Sequence, residues 1–176
     1  LTTEIDALKR AGLIDAGVLL YGFESGWVSA KVVSDYAATL LSAGTEHSEV
    51  ADLVAAQYLD HQTVVELLQA LARIEARPTA SADEAKRRWM YACLVVVAEC
   101  GGSYREKCRS IDVVQSIFGY SEELWACSPS YMPSKGGAQD EEYTASAIGP
   151  VEAMLHLISR LRKEWGVSDE FTRDEE

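Results

Sequence analysis

The side chains of this 176-residue chain that could do catalytic or metal chemistry are three histidines, four cysteines and 28 acidic residues. His47, His61 and His156 stand in no ligand spacing of the HExxH kind. Asp60-His61 comes nearest to a metal-binding dyad, but a metal needs three or more convergent ligands. Asp60 is better placed to cap a helix whose first turn holds His61. Cys93, Cys100, Cys108 and Cys127 lie 7, 8 and 19 residues apart, which matches no CxxC or zinc-ribbon pattern. Cys93 and Cys100 read as small core hydrophobes. No disulfide framework is expected, and a reducing cytoplasm is the expected compartment. GxSxG, P-loop and GxGxxG patterns are absent. The expectation is therefore a protein with no catalytic site, no metal and no cofactor.

The carboxylates are informative through their distribution. Against 28 Asp+Glu stand 16 Lys+Arg, a formal net charge of −12. Residues 1–76 hold 11 acids and 4 bases, residues 77–135 hold 7 and 8, and residues 136–176 hold 10 and 4. Two acidic regions thus flank a near-neutral centre. Such a charge favours basic partners and opposes nucleic acid and phosphate. The one basic triplet, Lys86-Arg87-Arg88, falls in the first turns of a helix, the less favourable end for cations. It reads either as a nucleic-acid contact or, with the overall charge in its favour, as an internal salt-bridge face.

The elements that must position these groups are helices almost throughout. Ser29 precedes a stripe of Val32, Val33, Tyr36, Ala37, Leu40 and Leu41 that stops at Gly44. Val50, Leu53, Val54, Gln57 and Tyr58 form the next stripe. Asp60 is read as the cap of another, with Val64, Leu67, Leu68, Leu71 and Ile74. Ser81 and Glu84 form a capping box for a helix carrying Trp89, Cys93, Val96, Val97 and Cys100, apolar on all sides and therefore expected to be central. A rougher stripe follows in Cys108, Ile111, Val114, Ile117 and Phe118, and Pro150 starts the last helix. The longest apolar run, around Leu94–Ala98, is far too short to span a membrane. The first residues lack the pattern of a secretory leader. The expected architecture is all-α: a single domain over 1–168 built of roughly seven helices, an irregular loop near 119–138 with a helical turn at Glu122–Ala126, and an acidic, frayed tail at 169–176.

That loop is the expected interaction site. Tyr120, Trp125 and Tyr131 cluster there beside Glu122, Glu123, Asp140, Glu141 and Glu142, and aromatic anchors ringed by charge are a common make-up of protein-recognition surfaces. The competing reading is that the aromatics pin the loop to the core. Glu46, Glu49, Asp52 and Asp60 make a rival acidic surface.

Two stretches carry a family resemblance. Tyr21-Gly22-Phe23 with Gly26-Trp27-Val28-Ser29 is the first, and the second runs from Val113 to Leu124 and on to Tyr131-Met132-Pro133. With Trp89-Met90-Tyr91 between them, the chain resembles a bacterial helical family known as domain of unknown function 2247. The resemblance spans most of residues 17–135 and brings no catalytic residues with it. It implies a small acidic bacterial protein of the sort encoded beside polymorphic or contact-dependent toxins. The expected function is that of an immunity protein which binds and neutralises a cognate, basic toxin domain, a nuclease being the kind the charge fits. The alternatives are a small all-α enzyme with a carboxylate-lined pocket, or a helical regulatory adaptor.

Overall fold

The computed structural model describes residues 2–74, 79–128 and 149–167. Among the described residues the chain is all-α, with nine α-helices and one 3-10 turn and no strand. They are α1 (Thr2–Arg10), α2 (Ala16–Glu24), α3 (Ala30–Ser42), α4 (Ser48–Val54), the turn Ala56–Tyr58, α5 (His61–Ile74), α6 (Ala82–Glu99), α7 (Tyr104–Phe118), α8 (Glu122–Trp125) and α9 (Pro150–Trp165). The chain forms two compact units, Leu1–Trp89 and Met90–Glu176, with the division inside α6. No described helix is long and apolar enough to cross a membrane.

In the first unit, α2 is almost wholly buried, through Ala16, Gly17, Val18, Leu19, Gly22 and Phe23. The Asp15 side chain caps it by accepting from the Val18 amide at 2.9 Å, satisfying one of the donors that every helix start leaves open. Trp89 packs against this helix. Its Nε1 donates to the Val18 carbonyl at 2.9 Å, and its ring meets Trp27 edge-on at 5.5 Å. Both α2 and α4 pack against α5, and α3 packs against α4. The Phe23 ring stacks on His61 at 4.7 Å. Val64, Val65, Leu68 and Leu71 give α5 its buried stripe.

The second unit has three principal pieces: the later part of α6, α7 and α9. Ser103 and Glu106 make a full capping box at the start of α7. Lys107 reaches back to donate to the Ala98 carbonyl at 2.9 Å, fixing the turn after α6. Ile111, Val114, Gln115 and Phe118 are the buried face of α7, and Met154, Leu157, Ile158 and Leu161 that of α9. Tyr91 seats α9 twice, accepting from Arg162 Nε at 3.0 Å and meeting the Trp165 ring edge-on. Pro150 occupies the first turn of α9, as its fixed φ and missing N–H favour.

Several expectations are corrected by the packing. The stripe read through Gln57 and Tyr58 breaks after Val54, because the chain tightens into the 3-10 turn and leaves Tyr58 82% exposed. Cys100 lies beyond the end of α6 and is exposed, whereas Cys93 is buried. Ile117 faces outward, at 49% exposure, because Val114 and Phe118 take the inner face. Ser81 Oγ does accept from the Glu84 amide at 3.3 Å, but the Glu84 carboxylate turns to Arg87 and Arg88 instead of completing the box. Asp60 caps α5 as read, through the amide and hydroxyl of Thr63, and these bonds hold its carboxyl below the ordinary value.

Candidate functional site

The expected recognition segment begins where α7 ends. Gly119, at φ +76°, turns the chain out of α7 and into the four-residue α8. Gln115 anchors α8 from below: its side chain is 1% exposed and its Nε2 donates to the Leu124 carbonyl at 2.8 Å. Leu124 and Cys127 are buried on the same segment, and burial pushes the Cys127 thiol up to about 11. Two buried polar atoms there, Gln115 Oε1 and Ser121 Oγ, have no hydrogen-bond partner among the described residues.

Of the expected site residues, Tyr120, Glu122, Glu123 and Trp125 lie on this anchored segment, while Tyr131, Asp140, Glu141 and Glu142 lie outside the described residues. Tyr120 is 71% and Trp125 52% exposed. Leu124, Cys127 and Gln115 are the buried residues that pin this segment. Glu123 is partly offset by Arg160, whose Nη2 is 3.4 Å from its Oε1. Sequence reading missed two neighbours. Val113 and Ile117, four apart on α7 and so on one face, are 56% and 49% exposed. An outward-facing β-branched pair at helical spacing was the available signal, obscured because Ile117 also fits the inner stripe.

The rival acidic surface belongs to the first unit. Glu46, Asp52 and Asp60 are exposed there and Glu49 is half-buried, and Tyr58 is the exposed aromatic among the described residues of that unit. Glu46 also lines a cavity of about 520 Å³. Ile14 and Asp15 line it from the α1–α2 connection, Tyr36 and Leu40 from α3, Gly44 to His47 from the α3–α4 connection, and Leu71 and Ile74 from α5. Gly44 shapes the wall. Its φ of +88° ends α3, with its amide bonded to the Leu41 carbonyl at 2.9 Å and the Thr45 amide to Leu40 at 3.1 Å. This pairing is the Schellman end that a glycine accommodates without strain.

Asp15 is fully committed within this lining. One oxygen takes the Val18 amide, and the other takes the Ala80 amide at 3.2 Å and Arg88 Nη1 at 2.7 Å. Arg88 also donates from Nε to Glu84 at 3.2 Å and from Nη1 to the Leu13 carbonyl at 3.2 Å. The basic triplet thus contributes two of its three members, Arg87 and Arg88, to ion pairs within the unit. Among the described residues, no three His, Cys, Asp or Glu side chains come together as a metal-holding group.

The residues behind the sequence resemblance are structural ones. Gly22 exists for Trp89: a Cβ there would lie 2.5 Å from Trp89 Cζ2 and 2.6 Å from Val28 Cγ2. The Gly22 carbonyl in turn accepts from both Trp27 and Val28 amides, at 2.8 and 3.1 Å. In the comparisons with known proteins, a family described as an uncharacterized protein conserved in bacteria, DUF2247, matches residues 5–163. No curated protein and no solved structure matches the chain.

Proposed function

The chain belongs to the bacterial DUF2247 family, and we propose that within it this protein is a binding module for a basic protein partner, specifically an immunity protein that neutralises a toxin domain. The observation that carries the reading is the exposure of Val113, Ile117, Tyr120 and Trp125, all large apolar side chains within thirteen residues of sequence and all about half or more exposed. Scattered single hydrophobics on a surface need no explanation, but a concentration of them marks an interaction site. Glu122 and Glu123 sit between the two aromatics, the arrangement in which apolar anchors supply affinity and charge supplies steering. A partner basic enough to be drawn by a net charge of −12 includes nucleic-acid-cleaving enzymes, whose cationic clefts carboxylates can occupy.

Co-expression with the product of the adjacent gene tests this reading. The expected outcome is a complex that survives purification and relief of growth inhibition by that product. A neighbour that is neither toxic nor retained would sink the immunity role, and capture of a basic protein of another kind would keep only the binding role. The enzyme alternative draws on the cavity of the first unit. There Asp15 is spent on a cap and an ion pair, so among the described lining residues the carboxylate left at the cavity is that of Glu46.

A further inference from the structure

We propose that the cavity of the first unit is a binding site for a small organic amine with an apolar body, distinct from the α7–α8 surface. Its volume, about 520 Å³, is that of a small-molecule site. The lining is divided by chemistry. Ile14, Leu40, Leu71 and Ile74 supply an apolar floor, of which Leu71 is 1% exposed. The polar groups are Asp15, Tyr36 and the short turn Thr45-Glu46-His47.

The choice of an amine follows from charge. Asp15 is paired with Arg88 at 2.7 Å, so among the described lining residues Glu46 brings the carboxylate that a ligand can meet. Around it, residues 1–76 carry 11 acids against 4 bases, a field that favours a cation and disfavours a ligand carboxylate. The turn that bears Glu46 is held by the Gly44 and Thr45 amide bonds to α3, so the carboxylate is presented from ordered backbone. Burial of the apolar body supplies most of the affinity, and the ion pair at an exposed mouth supplies selectivity.

The test is an amide-resolved NMR titration of the full chain with three probes of one skeleton: phenethylamine, phenethyl alcohol and phenylacetate. The expected shifts centre on the Thr45 and Leu71 amides. The amine should bind roughly two- to fivefold tighter than the alcohol, the range of one exposed ion pair, with phenylacetate weakest. Glu46→Gln should erase the preference for the amine and leave the alcohol's affinity unchanged. Leu40→Trp should fill the cavity and abolish binding of all three, with circular dichroism reporting that the helices persist. Equal binding of amine and alcohol overturns the proposal, as do shifts centred elsewhere or no shifts at millimolar probe. Should Leu40→Trp fail to fold, the Glu46→Gln comparison decides alone, because Glu46 is exposed and lies outside any helix. Toxin protection is a separate readout, so failure here leaves the partner-binding reading intact.

Discussion

Arg88 and Asp15, 73 residues apart in sequence, meet at 2.7 Å with side chains only 18% and 17% exposed. The same carboxylate caps α2, so one residue joins a helix start, a connection and α6. Asp15→Ala removes the cap and leaves a part-buried guanidinium with one carboxylate fewer. The expected loss is about 2–4 kcal/mol in urea unfolding at neutral pH. Asp15→Asn keeps a good capping acceptor and should lose visibly less. A loss for Asp15→Ala within about 0.5 kcal/mol, as for an ordinary surface change, would contradict the central place given to this pair.

Gly22→Ala provides a test with a definite sign. In an open helix the change would stabilise by about 1 kcal/mol. Here the new methyl would collide with the ring of Trp89, whose indole is fixed by its bond to the Val18 carbonyl. Overpacking of this kind costs about 1–3 kcal/mol, so the variant should melt below the parent, with altered tryptophan fluorescence. A rise in melting temperature would show that the ring moves aside.

The contrast between Gly22 and Gly44 explains how much could be read in advance. Gly44 follows a helical stripe, a local signal that correctly placed the end of α3. The reason for Gly22 lies 67 residues away, in Trp89, and no local pattern contains it. The α5 stripe and the Asp60 cap were legible from period alone, and so was α9 as a helix, although Leu155, which period places on its apolar face, is 48% exposed. Tyr58 and Ile117 were misread because period places a residue on a helix face without saying whether the helix continues or what meets that face. Tyr120 and Trp125 could be picked out in advance as aromatics beside charge outside a stripe, and both are exposed. The cavity was not legible, because its walls come from four separate parts of the sequence.

The thiols should separate by burial. Cys100 is exposed, Cys93 and Cys127 are buried, and Cys108 lies between. Alkylation of native protein at mildly alkaline pH is expected to label Cys100 fastest and Cys127 only on unfolding, since the thiolate is the reactive form. Burial raises the Cys127 pKa from 9.0 to about 11, with Arg160 opposing the rise. A raised folded-state value stabilises the folded protein below the unfolded pKa, and that contribution fades as pH climbs from about 9 to about 11. Burial also raises Cys108 and Tyr21, which add to the alkaline loss in the same direction. Urea midpoints measured across this range should fall, and less steeply in Cys127→Ala. Equal slopes for the two proteins would rule out Cys127 as a source of the effect.

Two surfaces, one in each unit, compete to be the partner site, and single substitutions distinguish them. Ile117→Asp and Tyr120→Ala alter exposed side chains on the α7–α8 face, so circular dichroism should not change. If that face is the interface, each should weaken capture of the co-expressed partner about tenfold or more, the scale of a buried anchor. Tyr58→Ala, at the 82% exposed aromatic of the acidic first unit, should leave capture intact. Glu122→Gln should act differently again, slowing association at low salt and losing its effect as ionic strength rises, because a rim charge steers encounter more than it holds the complex. If Tyr58→Ala abolishes capture while Ile117→Asp is silent, the interface belongs to the acidic surface around Glu46, Glu49, Asp52 and Asp60. The amine cavity would then open at the edge of the partner site, and phenethylamine would be expected to compete with the partner.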